Sequence, residues 1–152
     1  MSSETVASSK KRLTRISDHS DRPSRRGSWK IAKDLPSSFR YASQGLIYAC
    51  ASQRNFRIHI SLGIIALSMA LWLGIDSDDL AILILTVSAV LVLELINTSI
   101  EAVVDLAIGR RYHPLARIAK DSSAGAVLIA ALCSLCVAFC LLLPPFFLRM
   151  GF

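Results

Sequence analysis

Charge is missing from most of this chain after residue 57, and that absence decides its class. Three stretches, residues 58–75, 80–93 and 123–148, contain no Asp, Glu, Lys or Arg. Charge-free apolar runs of this kind argue against a water-soluble domain and predict helices that cross a bilayer. With 152 residues, of which 53% are hydrophobic, we expect a single integral membrane domain.

Several ligand-binding signatures are also missing. The chain has no GxxxxGK[ST] or GxGxxG loop and no HRD or DFG pair, so the common soluble nucleotide-binding designs are excluded. No His and Cys pattern has the spacing of a zinc site. Three of the four cysteines, Cys133, Cys136 and Cys140, lie at helical spacing in an apolar run. We interpret them as packing thiols rather than as a redox or metal pair.

Basic residues are concentrated at the N-terminus. The chain has 17 Lys+Arg against 11 Asp+Glu, a net charge of +6, and residues 1–34 hold nine of the basic and four of the acidic residues. This segment is rich in Ser, Arg and Lys, which predicts a disordered basic tail. Basic residues that flank membrane spans are better explained by topology and anionic lipid than by nucleic acid. We therefore expect no nucleic-acid partner.

Residues 35–152 are predicted to form an all-α membrane domain. A surface helix at 36–57 mixes apolar and polar residues, as an interfacial amphipathic helix does. Spans follow at about 58–75, 80–106 and 123–148, with a loop over 109–122. Small residues recur every four positions in the first and third spans and favour close helix contacts. One copy can satisfy only some of these contacts, so we expect a homo-oligomer with sites at subunit boundaries.

The charge of the connecting segments predicts the topology. The N-terminal region and the 109–122 loop are rich in Lys and Arg, whereas the turn at 76–79 is acidic. The positive-inside rule places the basic segments in the cytoplasm. The far end of the second span then emerges on the side of the membrane where ATP is found, in a multi-pass protein of the inner (plasma) membrane.

A polar stripe marks that end of the second span. Glu94, Asn97, Glu101 and Asp105 are spaced by 3, 4 and 4 residues and share about 80° of one helix face. Ionisable groups at this depth are costly unless they face a protein interior or an aqueous cavity, which predicts a functional site. The alternative is the solvated end of a helix that leaves the bilayer. His59 lies at the edge of the first span, and we interpret it as an interfacial polar residue.

Carboxylates beside cations at a membrane surface suit phosphoryl transfer. Glu94, the deepest carboxylate, would meet an acceptor hydroxyl at the level of the lipid, and Glu101 could hold Mg²⁺ together with nucleotide phosphates. Intramembrane carboxylates serve equally well as a proton or cation relay in a small transporter. A membrane scaffold without catalytic function is a third reading. The spacing alone does not separate these alternatives.

Three motifs resemble a known family. They are ELINTSIEAVVD (94–105), YHPLARIAKD (112–121) and AGAV (124–127). Together they resemble the signature of the prokaryotic diacylglycerol kinase family, which includes undecaprenol kinases. FRYA (39–42) and RNFRIH (54–59) are similar to that family's surface-helix segment. The resemblance covers about residues 36–143 and leaves the basic tail outside.

The resemblance implies a homotrimer of three-span subunits, each with an N-terminal surface helix. It implies transfer of the γ-phosphate of MgATP to a lipid alcohol, either diacylglycerol, giving phosphatidic acid, or undecaprenol. Glu94 then matches the catalytic base, Glu101 a metal ligand, and Asn97 and Asp105 supports of the site. Glu94 and Ala124 match positions near the lipid headgroup. The positions that match contacts to ATP are Tyr41, Gln53, Glu101, Arg111, Tyr112, His113, Lys120 and Asp121.

Two positions depart from the family pattern. The family usually has a Glu that joins Glu101 in metal binding where this chain has Gln53. An amide oxygen can ligate Mg²⁺ but carries no charge and binds it more weakly. Either a second metal is held less tightly or Gln53 only orients ATP. Arg111 stands where some relatives have an acid.

Overall fold

The computed structural model describes residues 35–109 and 111–151, which form helices joined by short connections. The helices are α1 (Leu35–Ser52), α2 (Arg54–Leu73), α3 (Ser77–Ile108) and α4 (Pro114–Met150). No strand occurs within these two ranges. By length and composition, α2, α3 and α4 can each cross a membrane. The predicted all-α membrane fold, with three spans after an N-terminal helix, is confirmed; the predicted basic tail 1–34 lies outside the described residues.

The chain divides into two compact units between Tyr41 and Ala42. Of the first unit, the structure describes residues 35–41, the first turns of α1. They are largely exposed, and the Arg40 guanidinium lies 5.3 Å from the centre of the Tyr41 ring. All the packing described below lies within the second unit, which begins at Ala42.

The predicted surface helix at 36–57 is interrupted in the structure. Gln53 has extended backbone angles (φ −100°, ψ 113°) and is the N-cap of α2. The Arg57 guanidinium donates to the carbonyl oxygens of Cys50 and Ala51, at 3.0 and 3.2 Å. These are carbonyls of the last turn of α1, which have no partner within the helix. The first span helix therefore begins at Arg54, a turn earlier than the charge-free run indicates.

The acidic turn at 76–79 joins α2 to α3. Gly74 ends α2 in the left-handed conformation (φ 69°), and its N–H donates to the Ala70 carbonyl oxygen. Glycine adopts this conformation without steric cost. Asp76 is the N-cap of α3, and Asp78 and Asp79 lie in its first turn. Carboxylates stabilise a helix at that end because they oppose the positive pole of the helix dipole.

The predicted loop over 109–122 is mostly helical. α4 begins at Pro114, a favoured residue for a first helical turn. His113 is its N-cap, and the His113 Nδ1 atom accepts a hydrogen bond of 3.2 Å from the Leu115 N–H. The loop prediction failed because the polar residues 117–121 interrupt the apolar pattern while occupying regular helical positions. α4 also continues through Pro144 and Pro145 to Met150.

α3 packs mainly against α4, and α2 contacts both helices. Ala70, Leu83 and Leu142, one residue from each helix, form the buried cluster. The Arg149 guanidinium donates to the Trp72 carbonyl oxygen at 2.9 Å and lies 4.6 Å from the centre of the Trp72 ring. These contacts join the end of α2 to the end of α4, at the end of the bundle opposite the polar stripe.

α2 and α3 approach closely at Gly63. A Cβ atom added to Gly63 would lie 2.6 Å from Val87 Cγ1. Small residues permit such close backbone approach between membrane helices. Elsewhere, large apolar side chains on all three spans are exposed in the single chain, among them Leu71, Leu85 and Ile129. Those faces are suited to lipid or to other copies of the chain.

Candidate active site

Glu94 is the buried acid of the structure. Only 3% of its surface is exposed, although it carries a carboxylate near the middle of the hydrophobic part of the chain. Its carboxylate oxygen Oε1 lies 3.5 Å from the Nε2 atom of His59 on α2. Thr98, one turn later on α3, donates to the Glu94 carbonyl oxygen at 2.9 Å. A buried carboxylate is costly unless a polar partner compensates it, and His59 is that partner.

Asn97 and Glu101 are linked on the same face of α3. The Asn97 side-chain amide donates to Glu101 Oε1 at 3.0 Å. The Asn97 carbonyl oxygen Oδ1 accepts a hydrogen bond of 2.6 Å from the hydroxyl of Ser123 on α4. The Lys120 carbonyl oxygen, 2.9 Å from the same hydroxyl, is a second acceptor for its one hydrogen. The polar stripe is therefore connected through hydrogen bonds to the first turns of α4.

Two ion pairs occupy the end of the stripe. Lys120 Nζ pairs with Asp105 Oδ1 and connects α4 to α3. Arg117 Nε lies 3.3 Å from Asp121 Oδ2, within α4. Among the ion pairs of the described residues, Lys120 is the one lysine or arginine that contacts the stripe, beside the histidine His59. Both pairs are largely exposed to solvent, so a bound anion can compete for the cations.

A polar hollow of about 250 Å³ lies beside these pairs. Its lining brings together four residues that the sequence predicts to contact ATP: Tyr112, His113, Lys120 and Asp121. Ile108, Ala116 and Arg117 complete it. The hollow has two cationic side chains, an aromatic ring and an imidazole at one rim of the bundle. Such a set can bind a phosphorylated ligand.

The other predicted site residues are less closely grouped. Gln53 is half-buried between α1 and α2, and its side chain makes no capping hydrogen bond. Arg111 follows α3, is exposed, and its N–H donates to the Ile108 carbonyl oxygen. Ala124 is exposed on α4. Tyr41 lies in the first unit. Contacts between these residues and a ligand stay predictions.

An apolar groove runs between the three spans. It is lined by residues 59–69 of α2, 83–90 of α3 and 128–143 of α4, and its volume is about 360 Å³. His59 lines the groove at the end nearest Glu94, and Val90 lies one turn before Glu94 on α3. Apart from Ser134, all the other lining residues are apolar. The groove therefore offers a place for a hydrocarbon chain whose polar end reaches the buried carboxylate.

The carboxylates fit a magnesium ion that arrives with a nucleotide. In the described part of the chain, no group of three or more His, Cys, Asp or Glu side chains is placed to hold a metal. Mg²⁺ is usually bound by one or two carboxylates together with substrate phosphates and water. Glu101, half-buried and oriented by Asn97, supplies one such carboxylate. This donor set suits a metal brought by ATP rather than one held by the protein alone.

Two residues of this network are not among the predicted site residues. His59 was expected to be an interfacial polar residue, but it contacts Glu94. Ser123 was placed only as the start of a span, but it bonds to Asn97. Gly63 is a small residue of the kind that marks close approach between membrane helices. His59 precedes it by one helical turn, so His59 lies near that approach. No pattern in the sequence pairs residue 123 with residue 97.

Comparisons with known proteins agree with the motifs. A family model described as prokaryotic diacylglycerol kinase matches residues 40–142. A diacylglycerol kinase of Synechocystis sp. is 50% identical over 124 residues, 82% of this chain and 71% of that protein. An undecaprenol kinase of Bacillus subtilis is 35% identical over 107 residues, 70% of this chain and 86% of the relative. A diacylglycerol kinase of Escherichia coli K12 is 38% identical over 103 residues, 68% of this chain and 83% of the relative.

Proposed function

This chain belongs to the prokaryotic diacylglycerol kinase family and is a lipid kinase, and we propose that it transfers the γ-phosphate of MgATP to the hydroxyl of diacylglycerol, giving phosphatidic acid. The relative that is 50% identical and named diacylglycerol kinase supports this acceptor. Undecaprenol is the alternative acceptor, since an undecaprenol kinase is 35% identical. The different-class alternative, a proton or cation transporter, receives no support from the family.

One observation carries the proposal: the apolar groove ends at His59, which contacts the buried carboxylate of Glu94. The groove suits the hydrocarbon chain of a lipid, and His59 at its end contacts Glu94. A lipid alcohol that lies in the groove presents its hydroxyl at the level of Glu94. A soluble acceptor has no need for such a groove. The geometry therefore favours a lipid as the phosphoryl acceptor.

Glu94 is the proposed general base. As the acceptor oxygen attacks the γ-phosphorus, a new oxygen–phosphorus bond forms and the Glu94 carboxylate takes the hydroxyl proton. The bond from the γ-phosphorus to the bridging oxygen breaks, and ADP leaves with the electron pair of that bond. The imidazole of His59 orients the carboxylate of Glu94, which is otherwise buried among apolar side chains.

The polar hollow is the proposed nucleotide site. Lys120 neutralises charge on the transferred phosphoryl group. When no nucleotide is bound, Asp105 holds the Lys120 ammonium group in place. Tyr112, His113 and Asp121 line the same hollow. Glu101 would hold the magnesium ion, which neutralises phosphate charge during transfer. Tyr41, Gln53 and Arg111 complete the proposed set of ATP contacts.

The proposed active protein is a homotrimer in the inner (plasma) membrane. The exposed apolar faces of the spans support association with other copies of the chain as well as contact with lipid. The N-terminus and the polar end of α3 lie on the cytoplasmic side in this proposal, because the flanking segments are basic. On that side ATP reaches the polar hollow directly.

The proposal is tested with purified full-length protein, MgATP labelled at the γ-phosphate, and diacylglycerol and undecaprenol offered separately. Wild-type protein should label diacylglycerol more rapidly than undecaprenol. Glu94→Gln keeps the shape of the side chain but cannot accept the proton, so kcat should fall about 10²- to 10⁴-fold.

Asp78→Asn is the matched control, since it neutralises an acid at the opposite end of α3. It should leave kcat unchanged. If undecaprenol is labelled more rapidly than diacylglycerol, undecaprenol is the acceptor and the proposal of diacylglycerol is wrong. The absence of label in both lipids, or full activity of Glu94→Gln, would refute the proposed reaction or the role of Glu94.

A further inference from the structure

Ser123 is the nearly buried polar side chain of α4, with 9% of its surface exposed. Its hydroxyl reaches across to α3 and donates to Asn97 Oδ1 at 2.6 Å, over a separation of 26 residues in the sequence. The same amide donates from its other end to Glu101 Oε1. Ser123, Asn97 and Glu101 thus form a continuous chain of hydrogen bonds from one helix to the next.

The chemistry of the three groups fixes the direction of every bond. An ionised carboxylate can only accept hydrogen bonds, so the Asn97 NH₂ group must face Glu101. The Asn97 carbonyl oxygen then faces Ser123, and it needs a donor there. A serine hydroxyl supplies one donor hydrogen. The reversed amide would place the Asn97 oxygen against the Glu101 carboxylate, and the two would repel each other.

Without Ser123, only the bond to Glu101 would hold the Asn97 amide in this orientation. The terminal torsions of Asn and Glu side chains are broad and roughly two-fold, so rotamer preference does not select one orientation. The shielded position of Ser123 also leaves little room for water to replace its hydrogen bond. The hydroxyl has a second acceptor in the Lys120 carbonyl oxygen, but the bond to Asn97 is the shorter, 2.6 against 2.9 Å.

We propose that Ser123 is a positioning residue that orients Asn97 and, through it, the Glu101 carboxylate toward the divalent cation of the nucleotide. This inference rests on the proposed function for the role of the cation. Partners that orient a metal ligand directly change metal affinity by about 10- to 100-fold when they are removed. Ser123 acts one step further away, so a smaller effect of about 3- to 10-fold is expected.

The test measures cation binding without turnover. Mn²⁺ replaces Mg²⁺, and its binding to the full-length protein in detergent is followed by electron paramagnetic resonance with a non-hydrolysable ATP analogue present. Ser123→Ala should weaken Mn²⁺ binding about 3- to 10-fold. Ser123→Thr, which keeps the hydroxyl, should restore it. Ser122→Ala, a neighbouring exposed serine on the same helix, should bind Mn²⁺ as the wild type does.

A double-mutant cycle separates positioning from packing. In protein that already carries Asn97→Ala, Ser123→Ala should cause no further loss of Mn²⁺ affinity, because the residue through which it acts is gone. An equal loss in both backgrounds, or no loss in the single variant, would overturn the inference. If Mn²⁺ binding follows the expected pattern but no lipid is phosphorylated, the proposed reaction fails while the role of Ser123 stands.

Discussion

Gly63→Ala tests whether the contact between α2 and α3 sets the geometry at Glu94. The added methyl group would lie 2.6 Å from Val87 Cγ1, whereas carbon atoms pack best at about 3.5–4.0 Å. About 1 Å of movement is therefore needed. Valine in a helix has one strongly preferred rotamer, so the helices must separate or Val87 must leave that rotamer.

The expected cost follows from that geometry. Overpacking of this kind typically destabilises a protein by about 1–3 kcal/mol. A separation of the helices also reaches the site, since His59 lies one turn from Gly63 and Glu94 lies two turns from Val87, both toward the same end. The distance of 3.5 Å between His59 Nε2 and Glu94 Oε1 would then increase. A displacement of about 1 Å can lower kcat by about 100-fold.

The measurement pairs kcat with the free energy of unfolding in mixed detergent micelles. Val87→Ala removes the clashing methyl and leaves Val87 Cβ 3.9 Å from the new group, so the double variant should regain both quantities relative to Gly63→Ala. Gly45→Ala is the matched control, because no atom lies within 4 Å of its added Cβ. Wild-type stability of Gly63→Ala, or no rescue by Val87→Ala, would refute the reasoning.

Two further substitutions test the polar residues. Glu101→Gln should raise the Mg²⁺ concentration needed for half-maximal activity, measured by titration at saturating ATP, because an amide oxygen carries no charge; an unchanged requirement would remove Glu101 from the metal site. His59→Ala deletes the imidazole that lies 3.5 Å from the Glu94 carboxylate, and since a displacement of about 1 Å at a reacting group can cost about 100-fold in rate, kcat should fall about 10-fold or more with little change in the KM for ATP. If the KM for ATP rises by the same factor as kcat falls, His59 would instead act at the nucleotide.

The helices that cross the membrane could be predicted because their signal is local. Long runs without charge at 58–75, 80–93 and 123–148 predict membrane helices, and the structure has three helices that are long and apolar enough to cross a membrane. The boundaries were less accurate for a physical reason. At Pro114 the helix start depends on the His113 cap, and Arg117, Lys120 and Asp121 interrupt the apolar run because they share one charged helix face.

The polar stripe could be located from spacing, but its partners could not. The interval from Asn97 to Glu101 is one helical turn, so their hydrogen bond is local. Ser123 and His59 reach the stripe from other helices, and their contacts depend on how far apart the helices pack. Sequence periodicity gives the direction of a side chain from its own helix, not the residue that it meets. Their importance therefore emerges only from the three-dimensional arrangement.

α4 has 37 residues, about 55 Å of helix at 1.5 Å per residue, whereas a hydrocarbon core of about 30 Å needs only about 20 residues. The side chains around Lys120 therefore lie on a part of α4 that extends beyond the length needed to cross the hydrocarbon core. Bilayer thickness influences the tilt of a membrane helix. A change in tilt would shift the first turns of α4 relative to the lipid headgroups. We therefore expect the lipid composition of the membrane to influence turnover, independent of how much acceptor the membrane contains.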